Sequence, residues 1–150
     1  MSFDYIVTDE VSWNALPTPL TDKTINIATD FSFSSSQTVK VCNNCVIEGS
    51  DHVITMNITY SGLINMFGTT IQNLIIDSSN GTVSNGPFIS STQAFNIQYG
   101  NLINCHSRNI TLNTPNSGGL VGRYFGNSTT ESIIDKGAII NLQVKFRLPW

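Results

Sequence analysis

The sequence predicts an all-β protein coiled as a parallel β-solenoid. Three observations carry that expectation: short apolar runs separated by turn formers, polarity supplied by amides and hydroxyls, and an imperfect internal repeat. Of the 150 residues, 50 are Asn, Ser or Thr, 18 are Ile, and only 11% are charged, against about 25% in ordinary soluble domains. With 40% hydrophobic residues the chain can bury a core, so it is not a disordered polar tract. The length favours one domain.

Taken in order, the N-terminal stretch 1–24 stands apart. In Trp13-Asn-Ala-Leu-Pro-Thr-Pro-Leu20 the prolines oppose both helix continuation and central-strand pairing. Residues 1–24 are therefore expected to form an irregular, extended capping and oligomerisation segment, with Trp13, Leu16 and Leu20 packed on the rest. Residues 25–150 form the β domain. Its expected strands include Ile25–Ile27, Val39–Val41, Val46–Ile47, Val53–Met56, Leu63–Ile64, Ile71–Ile76, Phe88–Ile89, Leu102–Ile103, Ile133–Ile134 and Ile139–Leu142. Each is short, rich in β-branched residues and bounded by Asn, Ser, Gly or Asp. Ser32–Gln37 reads as a polar loop or weak edge, and Val144-Lys-Phe-Arg-Leu148 returns to alternation. Helix is nearly absent, because no segment keeps apolar residues at helical spacing.

The repeat is the most informative feature. Gly62-Leu-Ile64, Gly86-Pro-Phe-Ile89 and Gly118-Gly-Leu-Val-Gly122 are each followed by a second apolar strand. Leu63, Phe88 and Leu120 are the anchors of the first strand, and Ile75, Ile103 and Ile134, expected to face inward, are those of the second. Both sets recur at intervals inside the window of roughly 20–50 residues that signals stacked passes of chain. Such passes lie about 4.8 Å apart. Their corners need Asn and Gly, which tolerate left-handed backbone, and aligned Asn side chains can bond in ladders. The alternative architecture is an antiparallel β-sandwich or jelly roll, which would show longer alternating strands and hairpin turns every ~8–12 residues.

Gly118-Gly-Leu-Val-Gly-Arg-Tyr-Phe-Gly126, with Ser132-Ile-Ile and Gly137-Ala-Ile-Ile-Asn141 downstream, resembles the GLUG-type repeat, and Leu102-Ile-Asn-Cys105 resembles that repeat's downstream strand. The resemblance spans the stretch 62–142; the second copy departs from it with Pro87-Phe88 in place of Leu-Val. More widely the chain is similar to right-handed parallel β-helices: adhesin passenger domains, pectate-lyase-like enzymes, and trimeric viral fibres and tailspikes. The Asn- and Ile-rich composition looks most like the product of an AT-rich viral genome. The resemblance implies a homotrimer.

Net charge −3 and a pI near 5.1 argue against nucleic-acid binding. No apolar run approaches the ~20 residues of a membrane helix, and Met1-Ser-Phe-Asp-Tyr5 lacks the features of a secretion signal. The expected location is a virion or a host cytoplasm. Cys42-Asn-Asn-Cys45 with Cys105-His106 has partial zinc-ligand spacing. Neighbours on a strand point to opposite faces, however, so buried free thiols are expected, with no metal and no cofactor. The sequons at Asn57, Asn80, Asn109 and Asn127 are read as chance products of composition.

For catalysis, the densest acid-base cluster is Glu48-Gly-Ser-Asp51-His52, with Asp77 at the next strand end; Glu131 and Asp135 are further acids. Paired carboxylates about 5–9.5 Å apart serve polysaccharide hydrolysis, but the simpler and preferred reading is a solvated turn in which Asp51 caps backbone N–H groups. For binding, Tyr99, Asn101, Arg123 and Tyr124 combine aromatic faces with amide and guanidinium donors at expected corners, beside Phe125. The leading expectation is a non-enzymatic structural or attachment protein of a virus particle, a homotrimer with a possible glycan ligand. The alternative is a small glycoside hydrolase or lyase using Glu48, Asp51 and Asp77.

Overall fold

The computed structural model of the chain describes residues 2–90, 97–115, 117–126 and 131–145. In chain order these hold β1 (Tyr5–Val7), α1 (Glu10–Asn14), β2 (Leu20–Thr21), β3 (Thr24–Ile27), β4 (Phe31–Phe33), β5 (Lys40–Asn43), β6 (Val46–Glu48) and β7 (Val53–Met56). There follow β8 (Thr59–Tyr60), β9 (Ile64–Gln72), β10 (Ile75–Asp77), β11 (Thr82–Val83), β12 (Tyr99–Ile103), β13 (His106–Leu112), β14 (Ile133–Asp135) and β15 (Ala138–Val144). The protein is all-β but for one short helix among the described residues. That helix is not long and apolar enough to cross a membrane.

Strands β1, β2, β3, β5, β6, β9, β12 and β14 form one sheet; β4, β7, β8, β10, β11, β13 and β15 form the other. Every described pairing between these strands is parallel. Partners stand one pass of chain apart, from Tyr5 with Ile25 near the start to His106 with Ala138 near the end. Parallel partners need a long connection; here it runs through the other sheet for every pair but β1 and β3, which are joined through α1 and β2. This is compatible with the coiled arrangement that the repeat predicts.

The core is built from columns of apolar side chains, one from each pass of the chain. In the first sheet Ile25, Ile47, Ile71 and Leu102 stand in register, all buried. In the second, Ile54 and Ile76 stand in register and are buried, and Tyr60, Val83 and Leu112 form a further column. The glycine-led anchors follow the predicted spacing. Ile64 bridges Ile89 and Ile89 bridges Val121, each the residue directly after Leu63, Phe88 and Leu120. Gly86 is required there, because a Cβ would lie 2.4 Å from the Val121 carbonyl carbon.

The isoleucine register is corrected by one residue. Ile76 rather than Ile75, and Leu102 rather than Ile103, face the interior. Ile75 pairs with His106 in the second sheet, while Ile103 pairs with Gln72 and Asp135 in the first, so the two never share a column. Ile134 does align with Leu102 but is exposed, because β14 is the last strand of its sheet. The cause is local. Asn73 and Asn104 adopt left-handed backbone (φ 55° and 51°) between paired strands, and such a corner resets which residue points inward.

The N-terminal stretch is more regular than expected. Tyr5–Val7 continues the first sheet by pairing with β3, and Asp9 caps α1, its side chain accepting from the Ser12 N–H at 2.7 Å. Trp13, Leu16 and Leu20 are buried. Phe33, in the stretch read as a polar loop, is also fully buried, and it meets Trp13 edge-on at 6.2 Å. The helix is clamped from several sides. Glu10 Oε1 accepts the N–H groups of Ser34, Ser35 and Ser36 at 3.1, 2.7 and 2.9 Å. Trp13 Nε1 donates to the Thr38 carbonyl, and Lys40 Nζ donates to the carbonyls of Asn14 and Leu16. At the other end of the chain, the expected tail residues Phe146, Leu148 and Trp150 lie outside the described residues.

The backbone N–H groups of Ser36 and Ser35, the two largest contributions, hold the Glu10 carboxyl below its usual value. A lowered folded-state pKa gives stability that is fully present above the unfolded value and is lost as pH falls through the folded one. In a Trp150→Phe background, which leaves Trp13 as the one tryptophan, the fluorescence should therefore stay constant from neutral pH down to about 5 and shift towards the solvent-exposed spectrum below about 4. In Glu10→Gln that acid transition should be weaker; an unchanged transition would remove Glu10 from the clamp.

Candidate functional site

Two of the acids that the sequence singles out, Glu48 and Asp77, sit at corners and have carboxylates that are already engaged. Glu48 ends β6 in the first sheet. Its carboxylate accepts the Ser50 N–H at 2.7 Å, the Gln72 side-chain amide at 2.7 Å and the Asn73 side-chain amide at 3.1 Å. Asn73 in turn accepts the Asn104 amide at 2.9 Å. Asp77 ends β10 in the second sheet. It accepts the Ser79 N–H and hydroxyl and the Asn109 amide, and Asn109 accepts the Asn141 amide at 2.8 Å. Burial alone would raise the Asp77 pKa, but the Ser79 and Asn109 hydrogen bonds outweigh it and keep the carboxyl below its ordinary range.

Both carboxylates therefore terminate ladders of asparagine side chains, one rung per pass. A third ladder runs from Asn80 through Asn57 to the Ser34 hydroxyl, and a fourth joins Asn113, Thr82 and Thr59. The amides of the sequon residues Asn57, Asn80 and Asn109 are all spent in this way; Asn127 lies outside the described residues. Glu48 and Asp77 stand on opposite sides of the corner 49–52 and in different sheets. Asp51 is exposed in left-handed backbone (φ 61°), and its N–H donates to the Asn73 carbonyl. The capping at this turn comes instead from Glu48 and from Asp30, which accepts the Val53 N–H at 2.8 Å and lies 3.0 Å from His52 Nδ1. Glu131 and Asp135 are exposed in the last pass.

The thiols are structural in placement. Cys42 faces inward on β5 in register with Leu20 and Met66, and Cys45 and Cys105 are buried where strands begin after a left-handed Asn. All three are free. Burial pushes the Cys42 thiol up and the Cys105 thiol up to about 12, which keeps both as unreactive thiols. Among the described residues no three His, Cys, Asp or Glu side chains group as metal ligands.

Of the binding candidates, Tyr99 opens β12 with its ring edge-on to Phe67 at 6.4 Å. Asn101 donates to the Thr70 hydroxyl and accepts the Ile133 N–H, so it too works as a rung between passes. The Arg123 guanidinium stands over the Tyr124 ring at 5.0 Å. What joins these residues was not anticipated. Buried Gln98 accepts the Met66 N–H at 2.7 Å and donates to the Ser90 carbonyl, while its backbone bonds to Tyr124 and Gly126. It thereby fixes the Arg123–Phe125 stretch beside Tyr99. A lone glutamine between Ile97 and Tyr99 gives no sequence signal for that role. An open groove of about 190 Å³ lies elsewhere, around the Asn109–Asn141 ladder, lined by Ser79, Thr111 and Gln143 as well.

Comparison with family models, with curated proteins and with solved structures finds no match for this chain. The resemblance to the GLUG-type repeat is accordingly not carried by a family model.

Proposed function

We propose that this chain is a non-enzymatic structural or attachment module: a short right-handed parallel β-solenoid that self-associates as a homotrimer, in the manner of viral fibres, in a virion or a host cytoplasm. Its amide- and hydroxyl-lined surface presents hydrogen-bonding groups suited to the hydroxyls of a glycan. The observation that carries this reading is the use made of the acids. Glu48 and Asp77, which a glycosidase would need converged and available, end asparagine ladders in two different sheets. A chain that spends its carboxylates on holding passes together is organised for rigidity rather than turnover.

A glycan array followed by hydrolysis assays on every bound glycan tests the proposal. Binding without turnover supports an attachment module. Turnover that Glu48→Gln or Asp77→Asn abolishes, in protein that still folds, would replace it with the glycoside-active alternative.

A further inference from the structure

The two ends of the described fold are finished differently. At the N-terminal end α1 lies across the core, and Val7, Trp13, Ile27 and Phe33 are completely buried beneath and around it. At the other end nothing described plays that part. Ile134, Ile139, Leu142 and Val144 stand in register with Leu102, Ser107, Ile110 and Leu112. Those four predecessors are all buried, yet the four residues of the last pass are 45%, 45%, 44% and 55% exposed. Strand β14 pairs only with β12, and β15 only with β13, so both present open edges among the described residues.

We infer that this last pass, Ile133–Asp135 with Ala138–Val144, is the surface on which one copy of the chain meets another. The inference rests on the self-association proposed above and locates it. Exposed edge strands with apolar side chains are templates for further pairing, and proteins that stay monomeric normally blunt them with charge or proline. Residues 137–144 contain neither. The charges bordering them, Glu131, Asp135, Lys136 and Lys145, cancel, so two such surfaces do not repel, and a strongly charged partner would find no counterpart. The N-terminal end has unpaired strand edges too, at β1 and β4, but there α1 packs over the apolar side chains, so it is the uncovered apolar column that sets the last pass apart.

The test compares light-scattering masses of the whole chain with those of Ile140→Glu and Leu142→Lys. Ile140 is outward-facing and in register with Arg108, so an anionic side chain is accommodated by the fold at that position. Val11→Lys, at the capped end where Val11 is already exposed, serves as control, and far-ultraviolet circular dichroism confirms folding. The expected result is an assembly for the wild type and Val11→Lys, and single-chain mass, a loss of all association in the low micromolar range, for both other variants. An assembly that survives in both would overturn this surface while leaving self-association standing. A monomeric wild type, the outcome if the chain's own residues 146–150 cover this end, would overturn both.

Discussion

Ile76→Ala is expected to destabilise the protein by about 2–5 kcal/mol, and Ile75→Ala, at a partly buried site, by clearly less, about 0.5–1.5 kcal/mol. The two side chains are neighbours on one short strand and chemically identical. Ile76 is fully buried, with Ile54 in register on one side and Ser107 on the other, so truncation opens a cavity that close-packed columns cannot collapse. Ile75 faces outward beside Val53 and His106. Urea unfolding of the two variants gives the comparison directly. Equal costs would mean that the assigned register of β10 is wrong.

Trp13→Ala should be comparably damaging, at about 3–5 kcal/mol. The indole is completely buried against Phe33 and donates to the Thr38 carbonyl at 3.0 Å, so its loss uncovers the N-terminal end of the core and leaves that carbonyl with only the Gln37 side-chain amide. Trp13→Phe keeps an aromatic ring while removing the N–H and part of the ring volume; a smaller cost of about 1–3 kcal/mol is expected. Val11→Ala, on the exposed side of the same helix, should be neutral within about 0.5 kcal/mol. Thermal melts followed by circular dichroism would show the ranking, and a mild Trp13→Ala would mean that α1 does not cap the core.

What the sequence made legible was set by backbone constraints. Glycines whose Cβ would strike a neighbouring pass, such as Gly86, mark fixed points in the chain, and the anchor spacings read from them match the observed bridges. Isoleucines carry no such mark. This chain has them on both faces of its strands, so Ile75 and Ile76 are equivalent to a reader who cannot see whether the Asn73 corner consumes an odd or an even number of residues. The lead-in strand Tyr5–Val7 escaped notice for a related reason: it is too short to show a period, and its pairing with β3 is a tertiary event.

The candidate site was legible as residue types and not as roles. Glu48 stands out because it belongs to the densest acid-base cluster and Asp77 because it ends the next expected strand, and both do lie at corners. That their carboxylates would accept from Asn73 and Asn109 depends on the register between passes, which composition cannot supply. The expectation that aligned asparagines would bond one another named the right interaction without naming its acidic ends. Gln98 illustrates the opposite limit, since a single side chain bonded to Met66, Asn65 and Ser90 becomes visible only when the passes are stacked.

Successive passes of chain stacking in parallel are what hold this fold together. The measurement that reaches this claim most directly is a set of interproton contacts by nuclear magnetic resonance on uniformly labelled protein. Parallel stacking predicts backbone contacts between Ile47 and Ile71, between Ile71 and Leu102, and between Ile76 and Ser107, in the registers given above. Antiparallel contacts between strands adjacent in sequence, such as β6 with β7 or β9 with β10, would instead belong to a sandwich of hairpins and would contradict the coiled architecture on which the functional proposal rests.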